Sequence, residues 1–483
     1  MVGGVAMQKK RFSFTTFLFL FLVSLFAFII LPNTSPFASH GTWCMTNDYF
    51  NFAKSMMQGK ILYTDLYDHK GLFLFLMYYI PILISDTSLL GVFLMEGLFS
   101  VGIILSCYRF CSYRYSEGEA VFMSFLVAVL LRVVFPQIMY NTEPLCIIIM
   151  FLLLRYIDDK TFMKYRKKDY ILFGLAFGAI FWMKFPLVIS IFPFWLYIAN
   201  YSSDYGYTKK FLKRCCLSFL SFAIFSLPII GYFLYNGNLK EMVESYFLGA
   251  HATFNFFNVY ILDISVIAIL IIGILGTFVN KEYRKSNIFF LIWFLIIFAI
   301  TNFTGGVRSY TSCFILILMC MVLPNFIHKT SGRFISVLCL FIVFVLNIPL
   351  LAPDYNNYRS VHEIASEYNI TNDNILYLCE DMGFGTYSKE PFRYKYQWRP
   401  SRVPYDENDE LYEKTLKWLN EKEFDYICIA KEDFEKEINF DEFGSTHRYA
   451  NIAYAAQQNY EFVEAFDFNE GVVEPFYICR VKK

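Results

Sequence analysis

The stretch NDYFNFAKSMMQGKILYTDLYDHKG, residues 47–71, carries three carboxylates and an ammonium that could do chemistry together: Asp48, Asp65, Asp68 and Lys70. A carboxylate can take the proton of an attacking hydroxyl or amine, and a cation can hold an anionic leaving group. Groups of the same two kinds recur further along. Glu143 stands in MYNTEPL, Lys184 and Arg132 lie within or at the end of apolar runs, and Arg308 follows two glycines in TNFTGGVRSY, where the backbone can approach a partner closely. A cation in an apolar run costs roughly 2.5–3.5 kcal/mol at the centre of a bilayer and less near its surface. Lys184 and Arg132 are therefore expected toward one leaflet's surface, compensated by a lipid phosphate or by an acid such as Glu143.

What positions these residues is a membrane. Of 483 residues, 57% are hydrophobic, 20% aromatic and only 17% charged, with a mean hydropathy of +0.42. That composition excludes an ordinary soluble globular protein. Net charge is zero and no basic block forms a nucleic-acid footprint, so nucleic acid is not an expected partner. The twelve cysteines form no CxxC pairs and fall mostly in apolar runs, as small hydrophobes do; Cys428 and Cys479 sit in strand-like runs, where burial as free thiols is expected.

Apolar runs at about 12–32, 89–108, 119–135, 144–157, 170–184, 186–200, 212–235, 260–279, 287–303, 311–327 and 334–352 predict eleven transmembrane helices. The fifth and sixth are short and share the KFP break at 184–186. The first lacks a small-residue cleavage site and is read as a retained span with a cytoplasmic N-terminus. A further run at 72–85 has about 14 residues with Pro81 inside, a length that suits an interfacial helix. With that run left out of the bilayer, twenty Lys and Arg fall in loops on one side and six on the other. The positive-inside rule puts the larger set in the cytoplasm.

The first loop, 33–88, then faces outward, together with the loops at 136–143 and 303–310, the KFP break, and everything after residue 352. From APDYNNYRS onward the chain is polar and alternates helix-like with strand-like segments, which predicts a small extracytoplasmic α/β domain over 353–483 beside a transmembrane domain over 1–352. That domain holds no phosphate loop, nucleophile elbow or metal motif, and reads as a scaffold or acceptor-docking platform.

Nucleotide-activated donors are confined to the cytoplasm, so an outward-facing site at the bilayer surface calls for a donor delivered by the membrane. A polyprenyl-phosphate-linked sugar is one. Asp48 opens DYFNFAKSMMQGK, whose apolar residues at 49, 50, 52, 53, 56 and 57 fit a helix lying flat at the interface, with Asp48 near its start as a base or a helix cap. Lys70 directly precedes the helix at 72–85, either holding phosphate or snorkelling to the headgroups. Asp65 and Asp68 could position acceptor hydroxyls or a metal, or serve as turn residues, and His69 could titrate near neutrality.

Taken together, this arrangement resembles the GT-C membrane glycosyltransferases, in particular the branch of bacterial aminoarabinose transferases and protein O-mannosyltransferases. Members of that branch have a first external loop with an Asp-acid pair, a GxxxYxDxxxxKxP-like segment and a juxtamembrane helix. The resemblance covers roughly residues 1–350. It implies an inverting transferase in which Asp48 is the base, Lys70 the phosphate-contacting Lys, Glu143 a second-loop acid and Lys184 an outer-leaflet Lys. Arg132 and Arg308 are further candidate phosphate ligands. Tyr49 stands where the second acid of the pair is usual, and Gly71–Leu72 where a Pro follows the Lys. The lost acid argues against a required divalent metal and leaves the base intact, so no cofactor is expected. Richness in Phe, Ile, Tyr and Lys points to an AT-rich bacterial genome, hence a bacterial cytoplasmic membrane and undecaprenyl phosphate as carrier. The acceptor would be a cell-surface glycan, lipid or protein. The alternatives are a lipid-linked glycan transporter or flippase, which predicts midplane charges and inverted repeats that the sequence does not display, and a non-catalytic glycolipid-binding relative.

Overall fold

The structure is a computed structural model that describes residues 14–30, 34, 44–133, 142–158, 166–204, 206–248, 284–303, 316–321, 323–324, 361–371, 373–378, 383–389, 409–435, 447–466 and 476–483. The spans expected at 260–279 and 334–352 lie outside those residues, as does Arg308. Helices follow in the order α1 (Phe14–Ile30), α2 (Cys44–Met57), α3 (Leu72–Ile84), α4 (Leu90–Arg114), α5 (Glu117–Val133), α6 (Glu143–Asp158), α7 (Lys167–Met183), α8 (Phe192–Asp204), α9 (Thr208–Tyr235) and α10 (Arg284–Phe303). The first loop thus folds α2 and α3 between the first two long apolar helices.

The described residues do not cover all eleven expected spans. Among the described residues two helices, α4 with 25 residues and α9 with 28, are long and apolar enough to cross a bilayer. The helices at the other expected positions are shorter or only partly described; α8, with 13 residues, reaches about 20 Å, short of the roughly 30 Å of a hydrocarbon core. The KFP break explains the shortness. Lys184 leaves the helical region (φ −157°, ψ 98°), and Pro186 begins a 3-10 turn, Phe185–Ser190, between α7 and α8.

Along α9, Leu220, Leu227 and Leu234 are 55%, 64% and 61% exposed. At a spacing of seven they share one face, and such an exposed apolar stripe suits lipid rather than water. The opposite face meets α7 at close range. A Cβ at Gly174 would come within 2.1 Å of the Ser218 carbonyl oxygen, and the Ser218 hydroxyl donates to the Tyr170 carbonyl at 2.6 Å. Small residues and interhelical hydroxyl bonds replace the hydrophobic effect where helices associate in lipid. α3 and α4 meet in the same way, with Gly91 against the Pro81 carbonyl.

After residue 360 come α11 (Val361–Tyr368), β1 (Ile375–Tyr377), α12 (Asp409–Asn420), β2 (Tyr426–Ala430), α13 (Lys431–Glu435), α14 (His447–Asn459), β3 (Tyr460–Phe466) and β4 (Phe476–Val481). The sheet order is β1-β2-β4-β3. β1 and β2 run parallel with Leu376 opposite Ile427, while β4 lies antiparallel to both its neighbours, Cys479 facing Ile427 on one side and Phe462 on the other. This is the alternating α/β unit that the segment pattern predicts. Cys428 and Cys479 are buried free thiols within it.

Candidate active site

α2 begins at Cys44, one turn earlier than its apolar pattern implies, so Asp48 lies inside the helix instead of at its N-terminus. It cannot be the helix cap. Asp48 is buried, and its neighbour Tyr49 packs edge-on against Phe75 and Tyr78 of α3, with ring centroids 6.1 and 5.8 Å apart. That aromatic contact lays α2 on α3.

The segment from 58 to 71 is a tight loop held by its own acids. Gly59 turns it at φ +97°, and Tyr63 adopts φ +68°, a region non-glycine residues rarely occupy. The Asp65 carboxylate accepts from the Ile61 amide at 2.8 Å, and Asp68 Oδ1 accepts from the amides of His69 and of Lys70, the latter at 2.9 Å. The Tyr63 hydroxyl donates to the Lys70 carbonyl, and its ring stacks on Phe233 at 5.4 Å. Burial first, then the charges of Tyr246, Asp68 and Tyr232, push the Tyr63 phenol well above its usual range, so it stays a protonated donor.

These contacts fix Lys70, which is 2% exposed and so does not reach out to the headgroups as snorkelling would require. Its ammonium lies 2.6 Å from His69 Nε2, 4.0 Å from Asp68 Oδ1, and 5.8 Å from the centre of the Tyr49 ring. An ammonium has only donors, so Nε2 is the acceptor; the other ring nitrogen, Nδ1, faces Asp68 at 3.5 Å. Asp68, His69 and Lys70 therefore form a short chain of charge and hydrogen bonds that ends on the residue beside Asp48.

Gly71 docks this loop on α7. Its amide donates to the Met183 carbonyl at 3.0 Å, and a Cβ there would stand 1.9 Å from the Trp182 carbonyl oxygen, which no side chain tolerates. The docking point is one residue before Lys184. The Lys184 ammonium pairs with Glu143 Oε1 at 3.0 Å; Glu143 is fully buried at the first residue of α6, where the helix dipole favours an acid. Its Oε2 has no hydrogen-bond partner among the described residues. Asp68 and Lys70 are thus brought together against the ring of Tyr49, the residue after Asp48, with the Glu143–Lys184 pair joined to them through Gly71. Asp65 serves its own turn. Arg132 is the penultimate residue of α5.

Glu96 was not singled out by the sequence reading. It lies in the second turn of α4, 1% exposed, and Oε2 accepts the Thr34 hydroxyl while Oε1 has no partner among the described residues. With Thr142, Tyr78 and Met183 it lines a cavity that leaves about 10 Å³ to the centre of a water molecule. The signal was present, since a lone acid inside the apolar run LMEGLF is as costly there as a cation. Lys54 was missed too. It is 1% exposed and donates to the carbonyls of Asp86 (3.3 Å), Thr386 (3.2 Å) and Ser388 (2.7 Å).

The groups on and after α2 have protein partners. Tyr49 fills the neighbouring position with an aromatic ring, Asp65 and Asp68 are engaged by backbone amides, and Glu143 by Lys184. Among the described residues no three acids or histidines converge there.

The arrangement of a helical bundle, two helices folded into its first loop and a small α/β unit after it is similar to that of a solved archaeal enzyme. The apo form of the Archaeoglobus fulgidus oligosaccharyltransferase matches over 94% of this chain and 73% of its own, at a TM-score of 0.53 and 13% identity. The same enzyme tethered to an acceptor peptide matches over 97% and 74% at 0.48 and 12% identity, and its complex with zinc and sulfate over 92% and 71% at 0.44 and 14%. At such identities the likeness is one of fold. No family model matches the chain, and no curated protein matches it.

Proposed function

We propose that the chain is an inverting glycosyltransferase that moves a sugar from a polyprenyl-phosphate donor, undecaprenyl phosphate being the expected carrier, to a glycan, lipid or protein acceptor on the outer face of a bacterial cytoplasmic membrane. The observation that supports this reading is the burial of an acid on α2 and of a cation in the loop that follows it: Asp48 and Lys70 are both buried, and the Lys70 ammonium lies 5.8 Å from the centre of the ring of Tyr49, the residue after Asp48. The likeness of fold to an oligosaccharyltransferase supports the same reading.

In this mechanism Asp48 takes the proton of the acceptor hydroxyl or amine as it attacks the anomeric carbon. Lys70, steadied by His69 and Asp68, meets the phosphate as its negative charge grows. Lys184 is the second cation, released from Glu143 toward the phosphate, with Arg132 and Arg308 as further ligands. A single displacement inverts the anomeric centre. No step uses a metal.

The test is transfer from a polyprenyl-phosphate sugar by the purified full chain. Asp48→Asn is expected to lower turnover by about 10²–10⁴, with donor binding retained. Undiminished transfer in that variant would remove Asp48 from the mechanism, and donor binding without any turnover in the wild type would make the chain a glycolipid-binding relative.

A further inference from the structure

Far from this site, three thiols converge. Cys107 and Cys111 lie four residues apart on one face of α4, and Cys320 reaches them from the helical segment 316–321, more than two hundred residues on in the chain. Cys107 Sγ is 3.6 Å from Cys320 Sγ and 4.0 Å from Cys111 Sγ, and all three sulfurs lie within 4.8 Å of one another. All three are fully buried. Among the described residues this is the one group of three ligating side chains close enough to share an ion.

The two separations from Cys107 Sγ are close to those of a coordination sphere, and the Cys111 thiol also lies 3.9 Å from the Cys320 carbonyl oxygen. Three sulfurs each about 2.3 Å from a central ion stand about 3.8 Å apart at the corners of a tetrahedron and about 4.0 Å apart in a plane around it. Thiols that merely fill space as small apolar groups have no reason to point their sulfurs at one another across two helices. No nitrogen or carboxylate donor joins them in that group. Zinc in structural sites takes four ligands, whereas an all-sulfur set in apolar surroundings selects soft ions.

We propose that Cys107, Cys111 and Cys320 hold one soft, thiophilic metal ion, three-coordinate Cu⁺ being the ion that their donor set suits. Binding replaces three S–H bonds with three Cu–S bonds and releases three protons to water; no electron is transferred. The negative charge left on the site has a counter-ion in Arg114, one turn beyond Cys111, whose buried guanidinium is held by Asn287 (3.0 Å) and Ser286 (3.3 Å). Cys107 lies eleven residues past Glu96, about 16 Å from it along α4. The ion is therefore a staple between α4 and the segment 316–321 and takes no part in transfer.

The full chain, purified under reducing, anaerobic conditions, is incubated with Cu⁺ or with Zn²⁺, desalted against a weak chelator and analysed for metal per chain. About one copper is expected in the wild type and in Cys428→Ser/Cys479→Ser, falling at least tenfold in Cys107→Ser/Cys111→Ser/Cys320→Ser. Because the triple variant could misfold, alkylation of the wild type with and without Cu⁺ gives an independent reading: bound copper is expected to shield these three cysteines and leave Cys216, which is exposed, fully labelled. Copper no higher than in the triple variant, or no shielding, overturns the site. One zinc in place of copper overturns the assignment of the ion. Glycosyl transfer has no bearing on either outcome.

Discussion

At the scale of single residues, the reach of Lys70 and Lys184 depends on Gly71, whose type is dictated by a carbonyl oxygen. Any Cβ at 71 would stand 1.9 Å from the Trp182 carbonyl, so the loop must lift off α7 to accept even a methyl group. Gly71→Ala is expected to destabilise the protein by about 1–3 kcal/mol, as overpacking does, and to weaken transfer as Lys70 leaves its place; thermal melting and the transfer assay measure the two effects. The Glu143–Lys184 pair permits a second test. Glu143 is fully buried and Lys184 half-buried, and removing the lysine strands a buried charge at a cost of roughly 3–5 kcal/mol. Lys184→Met alone is therefore expected to melt well below the wild type. Lys184→Met with Glu143→Gln should recover most of that loss, since no charge is then left buried. Denaturant unfolding of the single and double variants closes the cycle, and equal losses in both would show that the pair is not coupled in the folded protein.

Among the elements, α2 is the junction on which the others meet. Its sequence disclosed an amphipathic helix lying flat, because apolar residues at 49, 50, 52, 53, 56 and 57 repeat with helical period, and that much needed no structure. What it concealed was Lys54. On the sequence it is an ordinary polar residue of such a helix; in the fold its ammonium is enclosed by three carbonyls, one from the α3–α4 loop and two from the turn around Thr386, and lies 5.2 Å from the centre of the Phe50 ring. Long-range partners 332 and 334 residues away leave no trace in local periodicity. The same holds for Asn47, which meets Thr386 at 3.2 Å and stands against Gly383. By contrast, the four strands after residue 370 and the break at Lys184–Pro186 were legible, since alternation, proline and helix length are local properties. Lys54→Met is expected to uncouple the C-terminal unit. Hydrogen bonds from a charged donor contribute about 1.5–3 kcal/mol each, so amide hydrogen exchange in the turn at 383–389 should quicken markedly, with little change within α9.

For the molecule as a whole, the reading turns on which side of the membrane α2 faces. The basic residues argue for it through their asymmetry, twenty on one set of loops and six on the other, and α3 is the element that decides parity. α3 is a 13-residue helix with Pro81 inside, buried on one side against α2 and α4, and with Ile80 and Leu83 exposed at 67% and 76% on the other. A helix of about 20 Å with one apolar face free fits the boundary of a bilayer, where it brings Lys70 at its N-terminal end to headgroup depth. Were α3 to cross, every later loop would change sides, and the Lys- and Arg-rich connectors would face outward. A membrane-impermeant maleimide applied to intact cells distinguishes the two arrangements. In a background with the native cysteines replaced, Lys389→Cys, on the exposed turn beside α2, is expected to react from outside without permeabilisation. Lys168→Cys, exposed in the first turn of α7, should react only after the membrane is opened. The reverse pattern would put Asp48, Lys70 and the C-terminal unit in the cytosol, where a lipid-borne donor has no advantage over a nucleotide sugar, and the proposed transfer would lose its reason.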